Sequence, residues 1–218
     1  MIRNWRQAWG QGDFTFLAVQ LAPWDRNRKR DLEVIAAEVG ESNWAELREA
    51  QDMTLRIPHT GMAVAIDIGE TYDIHPQNKM EVGHRLALEA LKKVYGHLNI
   101  PEAPQYHSME TKGDSVVIQI NTQGDTLVVN DKYGYVYGFA IASADQQFYW
   151  AKAIVRENTI VVWNNKVSNP VAVRYAWSKN PGQLSVYGKS GLPLRPFRTD
   201  QWKGITDGRV FSLTEVFF

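Results

Sequence analysis

The 218-residue chain carries 24 lysine and arginine residues against 24 aspartate and glutamate residues, so its formal net charge at pH 7 is zero. A neutral chain lacks the surplus of cations that phosphate contacts require, and we expect no nucleic-acid partner. The chain has no cysteine, which excludes disulfides, thiolate metal sites and a cysteine nucleophile. No apolar stretch approaches the roughly 20 residues of a membrane helix, and the first residues show no signal-peptide core.

The two halves of the chain have different patterns. Residues 1–97 alternate buried-strand and helix patterns, which predict an α/β part. Residues 98–106 contain Pro101 and Pro104 and predict a linker. Residues 107–218 show only short strand patterns separated by turn residues, which predict an antiparallel β-sandwich domain.

In chain order, the sequence opens with the pattern of a helix end, at Trp5, Ala8 and Trp9. Residues 14–21 then form a near-continuous apolar run, which is typical of a strand buried on both faces. The polar stretch 25–31 that follows is rich in charges and predicts a solvated loop.

Two further helices surround a second apolar run at residues 61–69. The first helix begins near Asn43, where Asn43 and Glu46 have capping-box spacing. The second follows Asn78, which has Glu81 three residues further on and Gly96 beyond the helix end. The expected apolar stripes are Leu47, Ala50, Thr54 and Ile57 in the first helix, and Val82, Leu86, Ala90 and Val94 in the second.

The order strand, helix, strand, helix predicts a βαβ unit with a closing helix. Two parallel strands alone do not make a stable sheet, and a long unpaired apolar edge promotes association. We therefore expect the first half to be the C-terminal end of a larger doubly wound domain. Its other strands would come from a missing N-terminal half or from a second copy in a homo-oligomer.

In the second half, short strand patterns recur between turn residues. They lie at residues 116–120, 127–129, 135–141, 148–155, 159–163 and 171–177.

The segment with the clearest chemistry lies between the second apolar run and the last helix. It contains Asp67, Asp73 and His75, at the place where open α/β sheets gather catalytic groups. A histidine beside a carboxylate can act as a general base whose tautomer the acid fixes. Asp67 could equally be a structural carboxylate, and Asn78 is most simply a helix cap.

The same segment resembles the last conserved block of the sialate O-acetylesterase family of SGNH-type hydrolases. The similar block spans residues 73–79 and continues into residues 82–87. Further similar stretches are residues 5–14, 19–23, 44–51, 173–177 and 191–200.

This resemblance implies a doubly wound SGNH-type sheet and hydrolysis of O-acetyl esters on sugars by a serine nucleophile. It assigns His75 as the base and an aspartate of this segment as its partner, with no metal and no cofactor. We expect this partner to be Asp73, which stands immediately before Ile74 and His75. The family's nucleophile lies in a Gly-Gln-Ser-Asn motif that this chain lacks. Residues 40–43 repeat the letters of a second family motif, Gly-Glu-Ser-Asn, but no strand leads into them, and we interpret Ser42 as a helix cap.

Other polar and aromatic residues allow two interpretations. Gln20, at the end of the first strand pattern, could line the substrate pocket or anchor a loop through its amide. The tryptophans and tyrosines of the second half could be core and cross-strand pairs or a sugar-binding platform. The remaining histidines have no ligand spacing and are interpreted as surface or packing residues: His59, His84, His97 and His107.

Two functions remain open at this point. The chain is either the C-terminal part of an O-acetylesterase, active on an O-acetylated sugar, or a non-catalytic remnant that binds carbohydrate or protein. The missing nucleophile motif favours the second for the chain in isolation, and the family resemblance favours the first.

Overall fold

The computed structural model describes residues 1–25, 27 and 29–210. Four α-helices and one 3₁₀ turn lie in the first half of this described part. The helices are α1 (Ile2–Trp9), α2 (Leu32–Ala36), α3 (Asn43–Met53) and α4 (Lys79–Lys93), and the 3₁₀ turn is Thr54–Arg56. The predicted helix at the chain start is thus present, whereas the short α2 was not predicted.

Strands β1 (Phe16–Val19) and β2 (Thr60–Ala63) pair in parallel, with Phe16 opposite Thr60 and Val19 opposite Ala63. Both strands are shorter than the apolar runs that predicted them. The run at 61–69 leaves the strand after Ala63, and residues 64–66 stay fully buried. An apolar run indicates that residues are buried, but it does not distinguish a buried strand from the buried coil that follows it.

The open edge of β1 is partly covered by a side chain. In a parallel pair, alternate residues point their backbone groups to opposite edges. The Gln51 amide donates to the Val19 carbonyl oxygen at 3.3 Å and accepts from the Leu21 amide at 2.9 Å. Gln51 therefore takes the place of a neighbouring backbone at the carboxyl end of this edge.

The helix starts follow the local sequence, but the buried faces do not. Asn78 caps α4 by accepting from the Glu81 amide, and Ser42 caps α3 by accepting from the Ala45 amide. The predicted stripe of α3 is wrong, since Leu47 is 48% exposed while Arg48 is fully buried. In α4 the buried residues are Arg85 and Glu89. Arg48 is buried because backbone carbonyls lie opposite it, and Arg85 because a carbonyl and two carboxylates do.

The second half consists of antiparallel sheets. One four-stranded sheet has the order β3-β4-β9-β8, another has β12-β10-β6-β7, and β5 pairs with β11. Their bounds are β3 (Gln105–Lys112), β4 (Ser115–Asn121), β5 (Leu127–Val129), β6 (Phe139–Ala142), β7 (Phe148–Trp150), β8 (Lys152–Arg156), β9 (Thr159–Trp163), β10 (Ala172–Tyr175), β11 (Val186–Gly188) and β12 (Phe197–Arg198).

Some strand limits differ from the sequence prediction. The pattern 148–155 contains two strands, β7 and β8, separated at Ala151, and the start of 135–141 is a loop. Strand β3 begins at Gln105, inside the predicted linker, and was missed because its polar residues face solvent on a sheet edge. The division at residues 1–97, 98–106 and 107–218 stays a prediction.

One hydrophobic core is shared by both halves. It joins Val64 and Ile66, just after β2, to inward residues of β4, β6, β9, β10 and β11, and Leu88 of α4 packs against it. Within the described residues no helix is both long and apolar enough to cross a membrane. The antiparallel sheets are thus fixed directly onto the carboxyl end of β2.

Candidate active site

The segments that leave β1 and β2 meet at the carboxyl edge of the strand pair. The Asp25 amide donates to the Thr71 carbonyl oxygen at 2.8 Å, and the Tyr72 hydroxyl donates to the Arg30 carbonyl oxygen. Gly69 lies so close to Pro23 that a β-carbon at position 69 would be 2.9 Å from the proline carbonyl oxygen. These contacts hold the segment containing His75 in one position relative to β1.

Asp73 and His75, the two residues that the sequence analysis singled out, are joined by hydrogen bonds. Asp73 Oδ1 lies 3.0 Å from His75 Nδ1 and accepts the His75 backbone amide at 2.9 Å. Both side chains are exposed, at 54% and 81%. One carboxylate oxygen thus fixes both the backbone and the ring of the histidine, and this favours the tautomer with a proton on Nδ1.

Asp67 forms a structural ion pair. Its two oxygens accept from Arg85 at 2.6 and 2.9 Å, and Arg85 also donates to the Glu81 carboxylate and to the Val64 carbonyl oxygen. Burial opposes the charge of Arg85, but these two carboxylates together raise its pKa above the ordinary value. Of the two interpretations of Asp67, the structural one agrees with this geometry.

Gln20 continues the ladder beyond β1, where its amide donates to the Ala63 carbonyl oxygen at 2.9 Å. Its side chain is 2% exposed, and among the described residues its Oε1 has no hydrogen-bond partner. A buried amide oxygen without a partner costs free energy unless another group pairs with it. This atom is therefore the polar group at the strand edge that a ligand or a further segment could satisfy.

The stretch 25–31 is not a fully solvated loop. Asp25 is 2% exposed, accepts the Asn27 amide at 2.7 Å and lies 3.4 Å from Arg30 Nη1. The predicted solvation is therefore wrong for Asp25, because its carboxylate orders the turn that accepts Tyr72.

Arg48 is a residue that the sequence analysis missed. It donates to four carbonyl oxygens, those of Leu21, Ala22, Ser178 and Lys179. Burial lowers its pKa to about 9, so the guanidinium stays protonated at neutral pH. An arginine in an amphipathic helix ordinarily faces solvent, and no sequence signal marked this one.

The other candidate groups have ordinary roles. Ser42 is 5% exposed, and its hydroxyl accepts the Ala45 amide as a cap, as the sequence predicted. His84 lies 3.5 Å from Glu81 on the surface of α4. Across the part of the chain that the structure describes, no cluster of three or more histidine, aspartate and glutamate residues could hold a metal ion.

Comparison with solved structures places this fold beside carbohydrate esterases. The chain matches a carbohydrate acetylesterase from Xanthomonas citri with a TM-score of 0.82 and 43% sequence identity, over 93% of this chain and 45% of that one. No protein-family model matches the chain.

Among curated proteins, the chain is similar to sialate O-acetylesterases. It is 28% identical to that of Mus musculus over 90% of this chain and 39% of the mouse protein. It is 25% identical to that of Homo sapiens over 94% of this chain and 42% of the human protein. The predicted family resemblance is confirmed, and the chain spans about two-fifths of the length of these relatives.

Proposed function

We propose that this chain is part of a carboxyl-ester hydrolase that removes O-acetyl groups from sugars, with His75 as general base and Asp73 as the residue that orients it. The observation that carries the proposal is the 3.0 Å contact between Asp73 Oδ1 and His75 Nδ1. Support comes from its position beyond the carboxyl ends of β1 and β2, where open α/β sheets gather catalytic groups. The similarity to named esterases favours this function over a non-catalytic binding module.

The chemistry follows from the tautomer. With its proton on Nδ1 donated to Asp73, His75 presents the Nε2 lone pair to a nucleophilic hydroxyl. Nε2 takes the hydroxyl proton as the oxygen attacks the acetyl carbonyl. The imidazolium then returns that proton to the sugar oxygen as the C–O bond breaks. A water molecule, deprotonated in turn by His75, then attacks the acyl carbonyl. Acetate leaves as its bond to the serine oxygen breaks and His75 returns the proton to that oxygen.

We assign the nucleophilic serine and the oxyanion donors to residues outside these 218. Ser42 is unsuited to the role, because its hydroxyl is buried and committed to capping α3. The remaining open edge of β1, near Leu17, could receive the strand that precedes it in a doubly wound sheet. That strand would come from an N-terminal half or from a second copy.

In the same proposal, residues 1–97 form the C-terminal part of an SGNH-type doubly wound sheet. Residues 98–106 link it to a β-sandwich at 107–218. Support comes from the parallel β1–β2 pair, from the contacts of α4 with both strands, and from the common core under the antiparallel sheets. Gln20, with its buried and unpaired oxygen, is assigned to substrate binding.

A chimera tests the function without requiring the isolated chain to be active. In it, this chain replaces the matching part of the Xanthomonas citri acetylesterase, and acetate release from O-acetylated xylan and from O-acetylated sialic acid is measured. We expect activity with one of these substrates and its loss in His75→Ala. The matched control is His84→Ala, since His84 is also exposed and also beside a carboxylate.

The outcomes are distinct. Activity retained in His75→Ala would refute this residue as the base. Equal loss in His75→Ala and His84→Ala would indicate structural damage instead of loss of a base. Labelling with a fluorophosphonate, followed by mass mapping, identifies the nucleophile, and a labelled serine within these 218 residues would contradict its assignment elsewhere.

A further inference from the structure

Three tyrosines form a regular row on the loop between β5 and β6. Tyr133, Tyr135 and Tyr137 alternate with other residues, and consecutive ring centroids lie 6.1 and 6.3 Å apart with interplanar angles of 50° and 51°. Tyr133 is 72% exposed and Tyr135 is 60% exposed. We call this row the tyrosine ladder.

The ladder is preorganised by one carboxylate. Asp131 Oδ1 accepts the backbone amides of Tyr133 and Tyr135, both at 2.9 Å. Its Oδ2 accepts the Tyr137 hydroxyl at 3.3 Å. The Tyr137 amide donates to Ser185 Oγ at 3.1 Å, which fixes the loop to the segment before β11. The backbone that carries the rings is therefore held in place before any ligand arrives.

We propose that the tyrosine ladder binds an uncharged saccharide chain by stacking. The C–H face of a pyranose ring packs on an aromatic face, and exposed tyrosines add hydroxyls that pair with sugar hydroxyls. A regular row of rings suits a regular polymer of rings. Because the loop is already ordered, binding costs little conformational entropy. The choice of a saccharide as the ligand rests in part on the proposed function, whereas the description of the tyrosine surface does not.

Two other occupants fit less well. A stable protein interface buries about 800 Å² per partner, and three tyrosines supply at most a few hundred Å². A single-stranded nucleic acid also stacks on aromatic rings, but it needs a cationic groove for its backbone. The loop offers Lys132, whose ammonium lies 5.2 Å from the Tyr133 ring centroid, and beside it the opposite charge of Asp131.

The ladder is connected to the candidate active site through one short segment. Ser185 accepts from Tyr137, and Asn180 in the same segment donates to Thr71 Oγ1 at 3.2 Å. Five residues of chain span at most about 18 Å. A polymer that extends beyond the ladder along this segment would present its acetyl groups to the part of the chain that contains His75 and so raise their local concentration there.

The test measures binding separately from turnover. Native gel electrophoresis of the full chain is run through gels containing deacetylated xylan, galactomannan or hydroxyethyl cellulose. We expect one of these polysaccharides to retard the chain, and we expect a Tyr133→Ala/Tyr135→Ala double variant to bind it about tenfold more weakly or worse. Tyr135→Phe should still bind, because stacking uses the ring face.

Tyr95→Ala is the matched control, since Tyr95 is 71% exposed at the end of α4. Thermal unfolding of each variant verifies that the fold is intact. No retardation by any of the three polysaccharides, or equal retardation of wild type and double variant, would overturn the proposal. The proposal would also be overturned if the double variant lost oligonucleotide binding or self-association and not polysaccharide binding. Unchanged binding by His75→Ala separates this proposal from the proposed esterase function.

Discussion

The guanidinium of Arg48 lies 2.7 Å from the carbonyl oxygen of Ser178, a residue 130 positions further along the chain. The same side chain also holds the Leu21 carbonyl, just after β1. Arg48 thus connects the carboxyl end of a parallel strand to the antiparallel half. The candidate active site lies at this junction, so its geometry depends on how firmly the two halves are joined.

Replacing Arg48 should destabilise the chain strongly. Arg48→Met leaves four buried or half-buried carbonyl oxygens without their donor, and we expect a loss of about 3 kcal/mol or more in the free energy of unfolding. Arg48→Lys should recover only part of this, since an ammonium cannot reproduce the planar fork. Urea denaturation measures the loss.

Arg56→Met is the control for this measurement, because Arg56 is an exposed arginine in the turn that follows the same helix. Its effect should stay within about 0.5 kcal/mol. Similar losses in both variants would contradict a specific role for the Arg48 contacts.

Local sequence signals predicted the helix caps and singled out Asp73 beside His75, but they did not predict the buried cations. Asn78, Ser42 and the Asp73–His75 pair each have partners within three residues, so their spacing contains the information. Arg48 and Arg85 find their acceptors through chain packing. Hydrophobic periodicity places such residues in solvent, which is why the expected stripe of α3 was wrong.

The ends of the strands were also set by contacts with distant parts of the chain, which local sequence patterns do not show. Residues 64–66 are apolar because they enter a core shared with the antiparallel sheets, and no pattern within the first half reveals that partner. Strand β3 escaped prediction for the opposite reason: most of its side chains face solvent. An edge strand is held in its sheet mainly by backbone hydrogen bonds, and these do not require an apolar pattern of side chains that the sequence would show.

Gly69 should tolerate no side chain. A β-carbon there would lie 2.9 Å from both Pro23 Cδ and the Pro23 carbonyl oxygen, and backbone cannot move aside as a flexible side chain can. We expect Gly69→Ala to cost about 1–3 kcal/mol of stability. It should also lower esterase activity in the chimera, because the segment that contains His75 would shift away from β1.

Gly83→Ala provides the comparison. Gly83 lies within α4, and a β-carbon there would have no atom within 4 Å. Alanine is the better helix former by about 0.5–1 kcal/mol, so this variant should be slightly more stable than wild type and fully active. The same thermal midpoint in both alanine variants would mean that position 69 has room for a side chain.

Alkaline pH should weaken the fold partly through Tyr187. Burial and the neighbouring Asp67 raise the pKa of Tyr187 from its ordinary value of 10 to about 12. Between these two values the unfolded chain releases the tyrosine proton while the native chain keeps it. Stability from this group is therefore complete below pH 10 and is lost as the pH rises toward 12.

Tyr187→Phe should flatten this part of the stability profile, which denaturant titrations at a series of pH values measure. Tyr95→Phe, at an exposed tyrosine, should leave the profile unchanged. A slope for Tyr187→Phe equal to that of wild type would mean that the native pKa of this hydroxyl is not raised.

Asp73 provides the sharpest test of the proposed base. In Asp73→Asn, one side-chain oxygen can still accept both the His75 backbone amide and the Nδ1 proton, as Asp73 Oδ1 does. The tautomer with a free Nε2 is therefore kept, but a neutral amide stabilises the imidazolium less than a carboxylate does. We expect kcat in the chimera to fall by about tenfold.

Asp73→Ala should be more harmful than Asp73→Asn, because without an acceptor on Nδ1 the ring samples both tautomers. A purely structural role would instead lower the thermal midpoint of both variants and leave kcat of the folded chimera unchanged. Glu81→Gln, beside the exposed His84, serves as the matched control and should retain most activity. If both variants at position 73 keep the wild-type kcat, Asp73 acts on the loop and not on the His75 tautomer.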